Sequence, residues 1–136
     1  MLRKAILGFL ILLLAASGLT LQPTGATAAP PLARVTVLPN GTRTDNGRSL
    51  TVRVSITCAP YGTNGIQWEG AFYSIRPALD GEWVPLVCDG RPHVEDIVLY
   101  GMDPFTEDVV TVYAVIMDEN DGLKRYATDT RTVKVR

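Results

Sequence analysis

An alternation of apolar and polar residues from Leu50 to Cys58 is the feature that most limits how this 136-residue chain can fold. The apolar positions are Leu50, Val52, Val54, Ile56 and Cys58. Successive side chains of a β-strand point to opposite faces of the sheet, so this pattern predicts a half-buried strand that turns Cys58 inward. An amphipathic helix would instead need apolar residues three and four positions apart.

The rest of the chain is divided into short segments by turn-forming Gly, Pro, Asn and Asp residues. The predicted strands are 34–38, 50–58, 65–75, 82–88, 94–100, 108–117 and 123–136. We expect Trp68 and Phe72 to pack in the core. The continuously apolar sixth segment is typical of a central strand covered on both faces. No helical stripe of useful length follows residue 28, and the pattern predicts an all-β, antiparallel β-sandwich.

The first 28 residues have the three parts of a secretory signal peptide. Two basic residues precede an apolar run at 5–16, and the small residues at 26–28 (A-T-A) follow it. The run is shorter than the roughly 20 residues that a membrane-spanning helix needs. We therefore expect cleavage after Ala28, a short extended lead-in at 29–33 and one domain at 34–136. An uncleaved N-terminal anchor is the alternative.

The charge of the exported part limits the classes of partner. Cleavage would remove Arg3 and Lys4, leaving 11 of the 13 basic residues against 14 acidic ones, so the formal net charge would change from −1 to −3. Nucleic acids and anionic membranes are bound through clustered Lys and Arg, which are scattered here. We expect a secreted, extracellular protein without nucleic acid, cofactor or membrane attachment after cleavage. Its partner would be an extracellular protein or a carbohydrate.

The two cysteines, Cys58 and Cys88, both lie in the expected exported part. In an oxidising compartment an even number of cysteines indicates a disulfide, and two cysteines allow one intramolecular pairing. Closing this loop would stabilise the fold by roughly 3–4 kcal/mol in the chain-entropy model. Two free thiols or half of a metal site are the alternatives.

Cys58, the Trp68 that follows ten residues later, and the Cys88-Asp89-Gly90 turn are arranged much as in immunoglobulin-like domains. The antibody type has its second cysteine on the sixth strand, where this chain has Ala114. With its signal peptide and its Val35-Thr36-Val37 first strand, the chain is similar to the small immunoglobulin-like domains of uncharacterised function that bacteria secrete. The resemblance implies an antiparallel immunoglobulin-like β-sandwich of about seven strands with one disulfide. It implies no activity.

Candidate functional residues are few. If Tyr73 and Trp83 point outward from the third and fourth strands, such an aromatic pair would bind a sugar or a partner protein. Packing of these two rings in the core or at its rim is the simpler interpretation. Asp118, Asn120 and Asp121 supply oxygen ligands that suit calcium, but Gly122 falls where an EF-hand loop has a ligand, so an acidic turn is the simpler interpretation.

These residues predict a non-enzymatic module that binds a partner or has a structural role outside the cell. An inhibitor of an extracellular hydrolase is the alternative, with the loop Asp89 to Pro92 beside Cys88 as its reactive segment. A small hydrolase using His93, the only histidine, is a third hypothesis. It lacks a recognisable nucleophile motif.

Overall fold

The computed structural model describes residues 29–81 and 83–136, apart from the side chain of Leu123. The expected signal peptide at 1–28 lies outside the described residues. The described chain is all-β, as predicted, and forms seven strands joined in part by short 3₁₀ turns at Asp45–Gly47 and Thr63–Gly65. No helix of the described part has the length and apolar character needed to cross a membrane. The strands are β1 (Ala33–Thr44), β2 (Ser49–Cys58), β3 (Trp68–Ser74), β4 (Leu79–Gly81), β5 (His93–Tyr100), β6 (Val109–Asp118) and β7 (Asp121–Val135).

The alternating segment forms β2 and supplies the centre of the core. Leu50, Val52 and Val54 are fully buried, Ile56 is 1% exposed, and the intervening Arg53 faces solvent. β2 pairs antiparallel with β1 on one side and with β5 on the other. Fully burying each such aliphatic side chain contributes about 1.5–3 kcal/mol. The predicted alternation is confirmed.

β1 is longer than predicted because Pro39 and Asn40 form a bulge rather than ending the strand. The register with β2 shifts between Val37 and Gly41, after which pairing continues to Thr44. A Cβ atom at Gly41 would lie 2.9 Å from Leu50 Cδ1, so only glycine allows this close approach.

The expected antiparallel, immunoglobulin-like β-sandwich is wrong, because all seven strands close into one mixed barrel in the order β1-β2-β5-β4-β3-β6-β7. β4 pairs with both β3 and β5, and β1 pairs in parallel with β7 through Asn40↔Lys134 and Gly41↔Val135. A Cβ at Gly81 would lie 2.9 Å from the Phe72 carbonyl oxygen and 3.1 Å from Leu99 Cδ2. The absence of a side chain at Gly81 thus lets β4 fit between its neighbours and close the wall.

The fourth strand was also misplaced by the sequence pattern. Leu79–Gly81, which lies between the expected strands 65–75 and 82–88, forms β4, whereas the described residues of the expected strand, 83–88, lie outside any strand. Pro85 in this segment has no N–H to donate to a ladder. Leu86 turns inward to 4% exposure, and its carbonyl accepts a hydrogen bond from Tyr61 Oη at 2.8 Å. The segment 83–88 is therefore attached to the barrel by the buried Leu86 side chain and by the hydrogen bond from Tyr61.

The predicted disulfide between Cys58 and Cys88 is present, with a Cα–Cα distance of 4.8 Å. The disulfide joins the end of β2 to the end of the segment 83–88, which we call the unpaired segment because it belongs to no strand. Trp68 and Phe72 are core residues, as predicted, at 5% and 3% exposure. Trp68 Nε1 donates a hydrogen bond of 2.7 Å to the Ala59 carbonyl, so the buried indole N–H has a partner.

Candidate binding surface

The register of three neighbouring strands brings tyrosine and threonine side chains together on the outer surface of the barrel. Tyr73 on β3 lies opposite Tyr113 on β6, which lies opposite Thr130 on β7. Thr111 and Thr132 form the next pair along the same two strands. On β3 and β6 their neighbours in sequence, including Phe72 and Val112, are buried, so the alternation of these two strands turns Tyr73, Thr111 and Tyr113 outward. The cross-strand pairing then places Thr130 and Thr132, both exposed, beside them. We call the set the tyrosine face: Tyr73, Ile75, Thr111, Tyr113, Thr130 and Thr132.

The two tyrosine rings of this face stack on each other. Their centroids lie 5.4 Å apart and their planes are inclined by 15°. Such an aromatic pair contributes about 0.5–1.5 kcal/mol beyond the burial of its area. The stack holds two large, amphipathic rings in a fixed arrangement on rigid strands, while Tyr73 remains 36% exposed.

A depression of about 230 Å³ adjoins the stack and is lined by Ile75, Arg76, Thr111 and Tyr113. The turn after β3 positions Arg76, because Ser74 Oγ donates a hydrogen bond to the Pro77 carbonyl across it. Arg76 is exposed and forms no salt bridge with any residue that the structure describes. The depression therefore places the Tyr113 ring beside the Arg76 guanidinium, which can bind an anionic group.

Trp83, the expected companion of Tyr73, lies in the unpaired segment after β4 and is 61% exposed. The ring that stacks on Tyr73 belongs to Tyr113, which the sequence interpretation placed in a strand covered on both faces. The alternation of buried Val110, Val112 and Ala114 with half-buried Thr111 and Tyr113 is the signal that would have revealed an accessible face. The hypothesis of a Tyr73–Trp83 binding surface stays a prediction.

A second, larger depression of about 420 Å³ lies between the turn after β3 and the loop from β5 to β6. Phe105 is buried at its floor, and Asp103 and Glu107 supply carboxylates at its wall. The loop is attached to the barrel by a 2.8 Å hydrogen bond from the Phe105 N–H to the Gly47 carbonyl. Arg43 packs against the Phe105 ring at 4.9 Å and donates to the Glu107 carbonyl, so this cation supports the loop.

The loop from Asp89 to Pro92 is exposed and held by a carboxylate. Asp89 Oδ1 accepts hydrogen bonds from His93 Nε2 at 2.8 Å and from the Arg91 N–H at 2.9 Å. These two donors, the histidine first, lower the pKa of the Asp89 carboxyl below its ordinary value. The Gly90 N–H donates to the Cys58 carbonyl at 2.9 Å, which attaches the turn to the disulfide. His93 is thus engaged by Asp89.

The calcium candidates lie at the hairpin between β6 and β7. Asp118 is 9% exposed, and its Oδ1 accepts hydrogen bonds from the backbone N–H groups of Gln67 and Asn120, both at 3.1 Å. Asn120 and Asp121 are exposed. Within the described part of the chain, no three His, Cys, Asp or Glu side chains are grouped closely enough to hold a metal. The Asp118 carboxylate instead connects the hairpin to the start of β3.

Comparison with family models, curated proteins and solved structures finds no match to this chain. The resemblance to secreted immunoglobulin-like domains has no support from a related protein.

Proposed function

We propose that this chain is an exported, non-enzymatic binding domain whose contact surface is the tyrosine face. The stacked pair of Tyr73 and Tyr113, accessible on rigid strands beside a depression, is the observation that carries the proposal. Tyrosine is enriched at the centres of binding surfaces because it offers a large apolar ring and a hydrogen-bonding hydroxyl at a low cost in conformational entropy. The stack further lowers that cost by fixing both rings before a ligand arrives.

The export part of the proposal depends on the N-terminal sequence and on the disulfide. The order of basic, apolar and small residues in 1–28 is typical of a signal peptide. Disulfides form and persist mainly in oxidising compartments, and the Cys58–Cys88 bond is compatible with that location. Mass spectrometry of the protein recovered from the medium of a secreting host tests this part. A mature N-terminus at Ala29 is expected, whereas retention of residues 1–28 would contradict it.

The binding part is tested on a carbohydrate array with the secreted product of the full-length chain and its Tyr113→Ala variant. Tyr100→Ala is the matched control, because Tyr100 is a 46% exposed tyrosine on β5, which β4 and β3 separate from β6. We expect array binding to be lost in Tyr113→Ala and kept in Tyr100→Ala. Equal binding by both variants would refute the proposed surface, and no binding by the unmodified protein would refute a carbohydrate as its ligand.

Inhibition of an extracellular protease by the loop Asp89 to Pro92 is the second candidate function. The two hydrogen bonds to Asp89 and the one from Gly90 to Cys58 favour it, because a loop fixed beside a disulfide loses little entropy on binding. A panel of purified proteases tests it. Stoichiometric inhibition that disappears in Arg91→Ala would support the candidate, and full activity of every protease would refute it.

A further inference from the structure

The tyrosine face is small, and none of its six residues is charged. Neighbouring strands lie about 4.8 Å apart and alternate residues of a strand about 6.6 Å apart. The six residues of the face therefore span roughly 10 by 7 Å between backbone positions. A stable protein–protein interface buries about 800 Å² on each partner, which is roughly ten times this area. The tyrosine face alone is therefore too small for a protein interface, and a small ligand unit such as a sugar ring is the better match.

The chemistry of the face also suits a sugar. Aromatic rings carry a negative face that attracts the weakly positive C–H groups on one side of a pyranose ring. Because Tyr73 and Tyr113 stack on each other, one face of each ring is covered, and a sugar would contact the other face or the ring edge. Thr111, Thr130 and Thr132 lie on β6 and β7 beside Tyr113, and their hydroxyl groups can donate or accept hydrogen bonds with sugar hydroxyls. These donors and acceptors are neutral and lie on exposed or half-buried strand positions.

Two cations flank one end of the face. Arg76 lines the depression beside Tyr113, and Lys134 lies on β7 two residues beyond Thr132, opposite Val109. The nearest acid in the sheet register is Asp80, which pairs with Tyr73 from β4 on the side away from Tyr113. A planar guanidinium can bind a carboxylate through two parallel hydrogen bonds. Asp103 and Glu107 line the other depression, beyond Pro77 and Ala78. Arg76 is the one charged residue among the four that line the depression beside Tyr113, and its guanidinium favours a carboxylate-bearing ligand there.

From this arrangement we infer that the ligand of the tyrosine face is an acidic glycan, whose sugar rings contact Tyr73 and Tyr113 and whose uronate carboxylate binds Arg76. The inference rests on the proposed function and adds the ligand class. The formal net charge of the whole chain is −1, so overall electrostatic attraction does not explain binding to a polyanion. Local contacts at Arg76 must supply the selectivity for the acid.

Affinity electrophoresis of the secreted protein through gels containing polygalacturonate or alginate tests the inference. The matched gels contain the same polymers with esterified carboxylates, which keep the sugar rings and remove the charge. We expect retardation by at least one of the acidic polymers, with binding to its ester about tenfold weaker, a difference of about 1.4 kcal/mol. Arg76→Gln should bind the acidic polymer and the ester equally.

Arg34→Gln is the control for the change in net charge, because Arg34 is an exposed arginine on β1. It should retain the preference for the acidic polymer. Equal retardation by acidic and esterified polymers, or an unchanged preference in Arg76→Gln, would overturn the acidic-glycan inference while leaving the tyrosine face as a binding surface. Absence of retardation by all four polymers would also overturn the inference, and the array with Tyr113→Ala decides the proposed function separately.

Discussion

Replacing Gly81 with alanine should destabilise the barrel, because this glycine lies where β4 joins β3 and β5. The added Cβ would be 2.9 Å from the Phe72 carbonyl oxygen, 3.1 Å from Leu99 Cδ2 and 3.3 Å from Phe72 Cβ. The closest of these atoms belongs to the backbone of a strand that β6 also holds, so it cannot move without disturbing the sheet. Overpacking of this kind typically costs about 1–3 kcal/mol.

For a domain of about 100 residues, each kcal/mol lowers Tm by roughly 4–8 °C, so Gly81→Ala should lower Tm by at least about 4 °C. Gly122→Ala is the matched control, because no atom lies within 4 Å of a Cβ at that position in the β6–β7 hairpin. It isolates the effect of alanine on the unfolded chain, which by itself is slightly stabilising.

Thermal unfolding followed by circular dichroism gives both Tm values, and amide hydrogen exchange locates the change. Exchange should accelerate in Gly81→Ala at Asp80 and Tyr100, which pair across the β4–β5 seam. If Gly81→Ala and Gly122→Ala unfold at the same temperature, the close packing of β4 does not contribute to the stability of the barrel, and our account of the closure is wrong.

Three further predictions concern interactions that stabilise the fold. Replacing Cys58 and Cys88 together by serine should lower the free energy of unfolding by about 3–4 kcal/mol in urea titrations, since the disulfide lowers the conformational entropy of the unfolded chain. A loss below about 1 kcal/mol would contradict this reasoning. Trp68→Phe should lower the free energy of unfolding by about 1–3 kcal/mol in the same assay, because it leaves the part-buried Ala59 carbonyl without its hydrogen-bond donor. An unchanged midpoint of urea unfolding would refute the role of that hydrogen bond. Because its pKa is lowered on folding, ionised Asp89 stabilises the fold above its ordinary pKa, and this contribution is lost as pH falls through the lowered value. NMR titration should show a lower Asp89 midpoint that rises in His93→Gln, and an unchanged midpoint would contradict the hydrogen-bond assignment.

The parts of the fold that depend on local alternation could be predicted from the sequence. Leu50 to Ile56 alternates with polar residues over a full strand, and the structure buries these apolar side chains. The disulfide was also predictable, since the chain contains two cysteines. In both cases the information lies in residues that are near one another in sequence or that have only one available partner.

The closure of the barrel was not predictable in this way. β4 has only three residues, Leu79–Gly81, too few to show a period of two, and its Asp-Gly pair is typical of a turn. The parallel contact of β1 with β7 involves two residue pairs separated by over ninety positions. Whether sheets remain separate or join depends on such non-local contacts, which leave little trace in the alternation of a single strand.

The candidate site was predicted in part. Tyr73 was named as a candidate for an outward-facing residue, with packing at the core or its rim as the simpler interpretation, and it is 36% exposed. Tyr113 was missed because the segment 108–117 was treated as covered on both faces, although Thr111 and Tyr113 alternate with the apolar Val110, Val112 and Ala114. Only the cross-strand register places the two rings together, and a register between strands about forty residues apart in sequence cannot be obtained from either strand alone.

Chemical-shift mapping tests the central claim, that the tyrosine face is the binding surface, most directly. The ¹⁵N-labelled protein would be titrated with trigalacturonate and, separately, with cellotriose, while the backbone amides are followed by NMR. We predict saturable shifts at Tyr73, Thr111, Tyr113 and Thr130 with at least one of the two sugars, and none at Tyr100 on β5. Shifts confined to other surfaces, or no saturable shift with either sugar, would contradict the account.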